Sequence, residues 1–175
     1  MTKIEEVKQA IRNIPDFPVK GIQFKDVTTA LKNPEYLKWM RDELVQLYKN
    51  RGITKVVGLE SRGFIIGPAL AMEIGAGFVP IRKPGKLPAE VIKGSYQKEY
   101  GVDTIEMHKD ALTKDDVVLL HDDLLATGGT MKAAVDLVRQ LGVTKIYVNC
   151  VIELDFLKGR EVLGNDLEVE TLIHY

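Results

Sequence analysis

The sequence predicts an α/β fold, with a central, mainly parallel sheet flanked by helices. Short apolar runs recur along the chain at Val56-Val57-Gly58-Leu59, Val79-Pro80-Ile81, Val117-Val118-Leu119-Leu120 and Ile146 to Ile152. Near-continuous apolarity of that kind marks strands buried on both faces, as in parallel sheets. Between them lie segments whose apolar residues repeat at helical spacing, as connections between parallel strands require. Glycine-rich or charged turns follow several of the runs, at the carboxyl ends of the strands, where ligands bind in open parallel sheets.

The bulk properties narrow the class. With 175 residues, 45% of them hydrophobic and 28% charged, and a net charge of −1, the chain suits one soluble domain over residues 1–175. That balance carries no basic footprint for nucleic acid, so small-molecule partners are expected. Cys150, the single cysteine, lies in an apolar run and has no internal partner, which points to a reducing, cytoplasmic setting. The segment Met1-Thr2-Lys3-Ile4-Glu5-Glu6 has no apolar signal core. Gly63 to Ile81 is long and apolar, but Pro68, Pro80 and four glycines favour a buried helix followed by a strand over a membrane span. No membrane partner is expected.

In chain order, Thr2 and Glu5 form a capping box for a first helix. Its apolar face is Ile4, Val7, Ile11 and Ile14, and Pro15 stops it. Residues 16–26 then read as an irregular segment, whose bland explanation is a surface loop tucking Phe17 and Phe24 into the core. Asn33-Pro34 is a cap and first-turn pair for a second helix, with the stripe Tyr36, Leu37, Met40, Leu44 and Leu47. Glu60-Ser61-Arg62-Gly63 stands at the end of the next strand, where Arg62 could simply cap or pair with Glu60. Arg82-Lys83-Pro84-Gly85-Lys86 follows another strand, and its cations either face solvent or neutralise a diphosphate. Residues 88–107 alternate with turn residues among them, predicting a polar hairpin or flap, and Val169 to Ile173 adds a further strand.

The richest stretch is Val117 to Met131. An apolar strand leads to Asp122-Asp123, then to Ala126-Thr127-Gly128-Gly129-Thr130, then to a helical run with apolar Met131, Ala134, Val135, Val138 and Leu141. Adjacent glycines let backbone N–H groups curl around an anion, hydroxyls add donors, and a helix N-terminus points its dipole at the same spot. The carboxylates repel a phosphate but accept from vicinal hydroxyls. A phosphorylated ribose presents both groups. No lysine stands where a Walker loop needs one, and the glycine spacing is not that of a dinucleotide fingerprint.

This run resembles the phosphoribosyl pyrophosphate (PRPP) binding signature of the type I phosphoribosyltransferases. Its spelling Asp-Asp-Leu-Leu-Ala-Thr-Gly-Gly-Thr looks like the form in the adenine-using branch of that family. The resemblance covers essentially the whole chain. It implies the type I phosphoribosyltransferase fold with a small amino-terminal hood, approximately residues 1–33, and a flexible lid, approximately residues 88–107. It also implies roles. Phe24 would stack on the base, with Gln23 and Lys25 presenting backbone groups to adenine. Asp122 and Asp123 would hold the ribose hydroxyls, and Ala126, Thr127, Gly128, Gly129 and Thr130 the 5′-phosphate of PRPP or AMP. Ser61, Arg62, Arg82, Lys83 and Lys86 would meet the diphosphate. Glu99 would be the acid/base and Tyr100 its neighbour in the lid. Gly159-Arg160-Glu161 matches the family's carboxyl-terminal pattern. His121 departs from the aliphatic residue usual before the acidic pair, and carries no catalytic role.

The implied reaction joins adenine to PRPP, giving AMP and diphosphate in purine salvage. Mg2+ would be its cofactor, held mainly by the substrate rather than by a protein metal site, and the assembly would be a homodimer. Two other readings stand beside it. A relative that takes another purine base places its base-binding hood differently. A non-catalytic PRPP-sensing regulator carries a DNA-binding domain that this chain lacks room for.

Overall fold

The computed structural model describes residues 1–17, 19–98 and 101–175. In chain order the elements are α1 (Lys3–Ala10), β1 (Arg12–Pro15), β2 (Gln23–Asp26), α2 (Thr28–Leu31), α3 (Pro34–Tyr48), β3 (Lys55–Leu59), α4 (Gly63–Ile74) and β4 (Gly77–Ile81). They continue as β5 (Val91–Gln97), β6 (Val102–His108), β7 (Val117–Leu125), α5 (Gly129–Gln140), β8 (Lys145–Glu153), a 3₁₀ turn at Asp155–Leu157, α6 (Gly159–Leu163) and β9 (Glu168–His174). Five strands form one parallel sheet in the order β4-β3-β7-β8-β9. The crossover order puts β7 at the centre, as its continuous apolar run predicts.

Alternation along the strands divides the core into two layers. On β7, Val118 and Leu120 pack towards α5 and the β5–β6 hairpin, while Leu119 packs towards α3 and α4. Helix α5 covers the first face with Met131, Ala134, Val135 and Val138, the residues its spacing singled out. On the second face α3 is capped as expected: the Asn33 side-chain oxygen accepts from the Glu35 N–H at 2.9 Å. Its buried stripe is Met40, Leu44 and Tyr48; Leu47 lies outside it, because the i, i+4, i+8 row meets the sheet. The α1 capping box also forms, with Glu5 accepting from the Thr2 N–H at 2.7 Å.

Four expectations need correction. The first helix ends at Ala10, and Ile14 belongs instead to β1, which pairs antiparallel with β2 in the register Ile14↔Phe24. Ile14 precedes Pro15, a position biased towards extended backbone, and the hairpin gives residues 12–15 partners that a frayed helix would not. The segment 16–26 is therefore hairpin in part. Phe17 does not tuck into the core: it is half exposed and packs edge-on against Phe24, ring centroids 5.2 Å apart. The α4 helix is buried on one side only, with Ile65 and Met72 exposed. Finally, β7 runs through the acidic pair to Leu125, because β8 continues alongside it with Asp122↔Cys150 and Leu124↔Ile152. The carboxylates sit inside the sheet, not beyond its end.

Candidate functional site

The strand β7, the turn 126–128 and the first residues of α5 enclose a pocket of about 190 Å³ lined by Arg62, Asp122, Ala126, Thr127, Gly128 and Thr130 among others. Gly128 has φ +86°, a conformation that side chains rarely adopt, and this left-handed step delivers the chain into α5. The pocket thus combines a tight glycine turn, a helix N-terminus and threonine hydroxyls, the components of a single-phosphate site. The Tyr96 ring from β5 packs beside the first residue of α5, 3.3 Å from the position a Cβ on Gly129 would take.

Asp122 lines the pocket from β7, and Asp123 beside it pairs with Arg62, which lines the pocket too. Burial, reinforced by the neighbouring Asp123 charge, pushes the Asp122 carboxyl well above its usual range. Burial also raises Asp123, opposed by the Arg62 guanidinium, whose Nε stands 2.9 Å from the carboxylate. The Arg62 charge stands beside Oδ2, yet neither buried Asp123 oxygen receives a well-aligned hydrogen bond. Such acceptors cost free energy unless a donor reaches them.

Arg62 connects this corner to the hood. Its guanidinium lies 5.3 Å from the Phe24 ring centroid, so one side chain touches both the acidic pair and the aromatic platform. The platform has its own support: Asp26 accepts from the Thr28 N–H and hydroxyl and from Arg12, and these hold it down at a pKa of about 2. Gln23 is held by the Asn13 amide at 2.6 Å, and the Lys25 ammonium lies over the Tyr175 ring at 4.3 Å.

The expected diphosphate residues form a second group. Glu60 does not pair with Arg62. It takes the Arg82 guanidinium at 3.2 and 3.3 Å and the Lys83 N–H at 2.8 Å, which draw its pKa down, the N–H most. The Lys83 ammonium bonds Asp103 at 3.0 Å, and the Arg82 side chain also donates to the Lys86 carbonyl. Ser61 contributes its carbonyl to the start of α4, accepting from the Phe64 N–H at 3.1 Å. These residues border the same strand ends as the pocket. Glu99 and Tyr100 lie outside the described residues.

Sequence reasoning missed two supporting residues and the contact that a third, Gly159, makes. Asp103 on β6 gathers Lys83, Lys98 and the Tyr96 hydroxyl, and is held at a pKa of about 2. Glu106, also on β6, is 3% exposed and accepts from the Gly85 N–H at 3.0 Å, fixing the loop that carries the cations. Gly159, which opens α6, packs so tightly on the glycine turn that a Cβ there would stand 2.4 Å from the Ala126 carbonyl oxygen. Strand alternation could have flagged Glu106, a charged residue amid apolar neighbours. Nothing local marks the other two.

His121 stands apart. It is wholly buried, its Nδ1 2.5 Å from the Asn149 side-chain oxygen, and burial lowers its pKa to about 4. A folded-state pKa below the ordinary 6.5 means that the unfolded chain takes the proton first. Stability should therefore fall as pH drops from 6.5 towards 4, by roughly 3 kcal/mol from this group. Urea unfolding at pH 7 and pH 4.5 checks it: His121→Leu should show the smaller difference between the two, and an equal difference would remove His121 as the cause.

Residues 26–166 match the family described as the phosphoribosyl transferase domain. The chain is 61% identical over 169 residues to an adenine phosphoribosyltransferase of Bacteroides thetaiotaomicron, covering 97% of this chain and 96% of that one. The crystal structure of adenine phosphoribosyltransferase from Thermoanaerobacter pseudethanolicus superposes with a TM-score of 0.94 at 44% identity, covering 98% of this chain and 99% of that one. The enzyme of that name from Giardia lamblia, solved with 9-deazaadenine, gives 0.94 at 46% identity, with 100% and 99% covered.

Proposed function

The chain belongs to the phosphoribosyltransferase family, and from that premise we propose that it joins adenine to PRPP, producing AMP and diphosphate. The observation that carries this is the placement of Arg62, which lines the phosphate pocket, pairs with Asp123 and lies against Phe24. A phosphate site, a hydroxyl-accepting pair and a flat aromatic surface thus meet around one side chain. A base, a ribose and a phosphate need those three in that order.

The chemistry follows from the residues. The purine N9 attacks the anomeric carbon, the bond to the diphosphate oxygen breaks, and the electron pair departs with the diphosphate. The turn 126–130 and the α5 N-terminus hold the 5′-phosphate, and Asp122 and Asp123 accept from the ribose hydroxyls. Fixing the sugar at both ends aligns the reacting carbon with the base lying on Phe24. Arg62, Arg82, Lys83 and Lys86 take the diphosphate, and Glu99 handles the purine proton. The donor set suits magnesium carried in by substrate: the carboxylates at hand are hard oxygen donors, and Mg2+ keeps water and phosphate oxygens as ligands. When bound, it neutralises diphosphate charge. The β5–β6 hairpin, tethered to the cation loop through Asp103 and Lys83, serves as the lid that keeps water from PRPP.

A homodimer fits the groove between α3 and α4, where Leu37, Ile65, Ile66 and Ala69 present apolar side chains beside Lys38 and Arg41. A cytoplasmic setting fits the buried free thiol of Cys150. Among the described residues no helix is long and apolar enough to cross a membrane.

The test is AMP formation, followed by chromatography, from PRPP, magnesium and each of adenine, hypoxanthine and guanine. AMP from adenine with little product from the others is expected. PRPP binding in calorimetry without product from any base would refute the enzymatic reading, while product from hypoxanthine or guanine instead would shift it to another purine.

A further inference from the structure

We propose that Tyr175 is a positioning residue for adenine: it grips the back of the strand whose front carries the base platform. The geometry begins with period two. Successive residues of β2 point to opposite faces, so Phe24 faces Arg62 and the site while Lys25 faces away. What Lys25 meets is the Tyr175 ring, its ammonium 4.3 Å from the centroid.

Tyr175 holds the hood at a second point. Its hydroxyl donates to the Lys8 carbonyl at 2.7 Å, and the Lys8 ammonium lies over the same ring at 4.7 Å. Lys8 is in the last turn of α1, where carbonyls have no partner within the helix. The hydroxyl supplies one, at the point where α1 gives way to β1. Burial pushes the phenol up to a pKa of about 12, so it remains a donor across the working range. One ring therefore fixes the exit of α1, and through it β1, and also pulls on β2. The Lys8 ammonium completes the clamp by donating to the His174 carbonyl.

Tyr175 is itself anchored to the main sheet. Its N–H donates to the Glu153 carbonyl at 3.0 Å and its carbonyl accepts from the Asp155 N–H at 2.9 Å. Glu153 ends β8, the strand paired with β7, which carries the acidic pair. The ring thus ties the base platform to the sheet that carries the sugar site, and sets the distance between them. A residue that merely stabilised α1 would affect both substrates alike. Tyr175 acts on the base alone.

This rests on the adenine reading above, and the experiment separates the two. Steady-state kinetics of Tyr175→Leu, Tyr175→Phe and Lys25→Met are measured with each substrate varied in turn, alongside thermal unfolding. Tyr175→Leu should raise KM for adenine about tenfold, with KM for PRPP and kcat within about twofold. Lys25→Met, which leaves the hydroxyl–Lys8 bond intact, should raise it about threefold, and Tyr175→Phe, which keeps the ring, should stay nearer the parent. An unchanged KM for adenine in Lys25→Met, or a parallel rise in both KM values, would overturn the proposal even if the melting temperature fell. Should Tyr175→Leu fail to fold, the Lys25→Met result decides alone. If the unaltered protein made no AMP from adenine, the functional reading would fall and this inference with it.

Discussion

Replacing Glu99 by alanine is expected to lower turnover by about 10²–10⁴-fold, with KM for PRPP little changed. The reason lies in proton accounting. Adenine attacks through a ring nitrogen, and the product carries that nitrogen without its proton, so a base must take up the proton as the bond forms. Of the other carboxylates around the strand ends, Asp122 and Asp123 are assigned to the ribose hydroxyls, while Glu60 is committed to Arg82 and the Lys83 N–H and Asp103 to two lysines. A carboxylate held by cations is a poor base, because its lowered pKa weakens its pull on a proton. Glu99 follows β5, one residue beyond Lys98, whose N–H donates to the Gly101 carbonyl at 2.9 Å. Single-turnover measurements must show that chemistry limits the rate. Given that, unchanged turnover in Glu99→Ala would remove it from the role.

Gly159→Ala should cost roughly 10²-fold in kcat/KM, chiefly through KM for PRPP, although residue 159 is not among the lining residues of the pocket assigned to phosphate. A Cβ at 159 would come within 2.4 Å of the Ala126 carbonyl oxygen, and a Cβ at 128 within 2.5 Å of the Gly159 carbonyl oxygen. Both clashes are with backbone, so no side chain can swing away. Nor can α6 withdraw easily. Arg160, the next residue, bonds the Glu153 carboxylate at 2.7 and 2.9 Å and the Thr171 hydroxyl at 3.1 Å, which pins the helix to β8 and β9. The displacement therefore falls on the turn 126–128, moving the N–H groups that would cradle phosphate. KM for adenine should move less, since Phe24 meets this pocket only through the Arg62 side chain and not through the turn that shifts. Parent-like kinetics for PRPP in a folded Gly159→Ala protein would show that the turn tolerates the shift.

What the sequence disclosed depended on how local the cause was. The unit from β7 to α5 was legible because its signals are contiguous: an apolar run, paired glycines and a 3.6-residue period. The extent of β7 was not, since polar Asp122 and Asp123 read as a strand end until β8 is seen to pair beyond them. The hood hairpin was hidden by Pro15 and Gly21, which punctuate a loop and a hairpin alike. Charge pairing was the least readable. Glu60 stands two residues from Arg62 but binds Arg82, twenty-two positions away, while Arg62 crosses to Asp123. Spacing along a chain cannot choose between those partners. The supports at Gly159 and Tyr175 were invisible for the same reason, being contacts between segments far apart in sequence.

The committed cations bear on how product leaves. On the proposed function, a diphosphate arriving at Arg62, Arg82 and Lys83 meets no naked charge. Each side chain already has a carboxylate beside it: Asp123, Glu60 or Asp103. Binding is then an exchange of one anion for another, and its net gain is the difference between two pairings instead of the whole of one. The same internal counter-ions keep the long side chains aimed, so less rotamer freedom remains to be lost when the guest arrives. When the diphosphate departs, the protein's own carboxylates reclaim its place, which lowers the barrier to release. A highly charged leaving group is thereby gripped firmly enough to be stabilised and loosely enough to go.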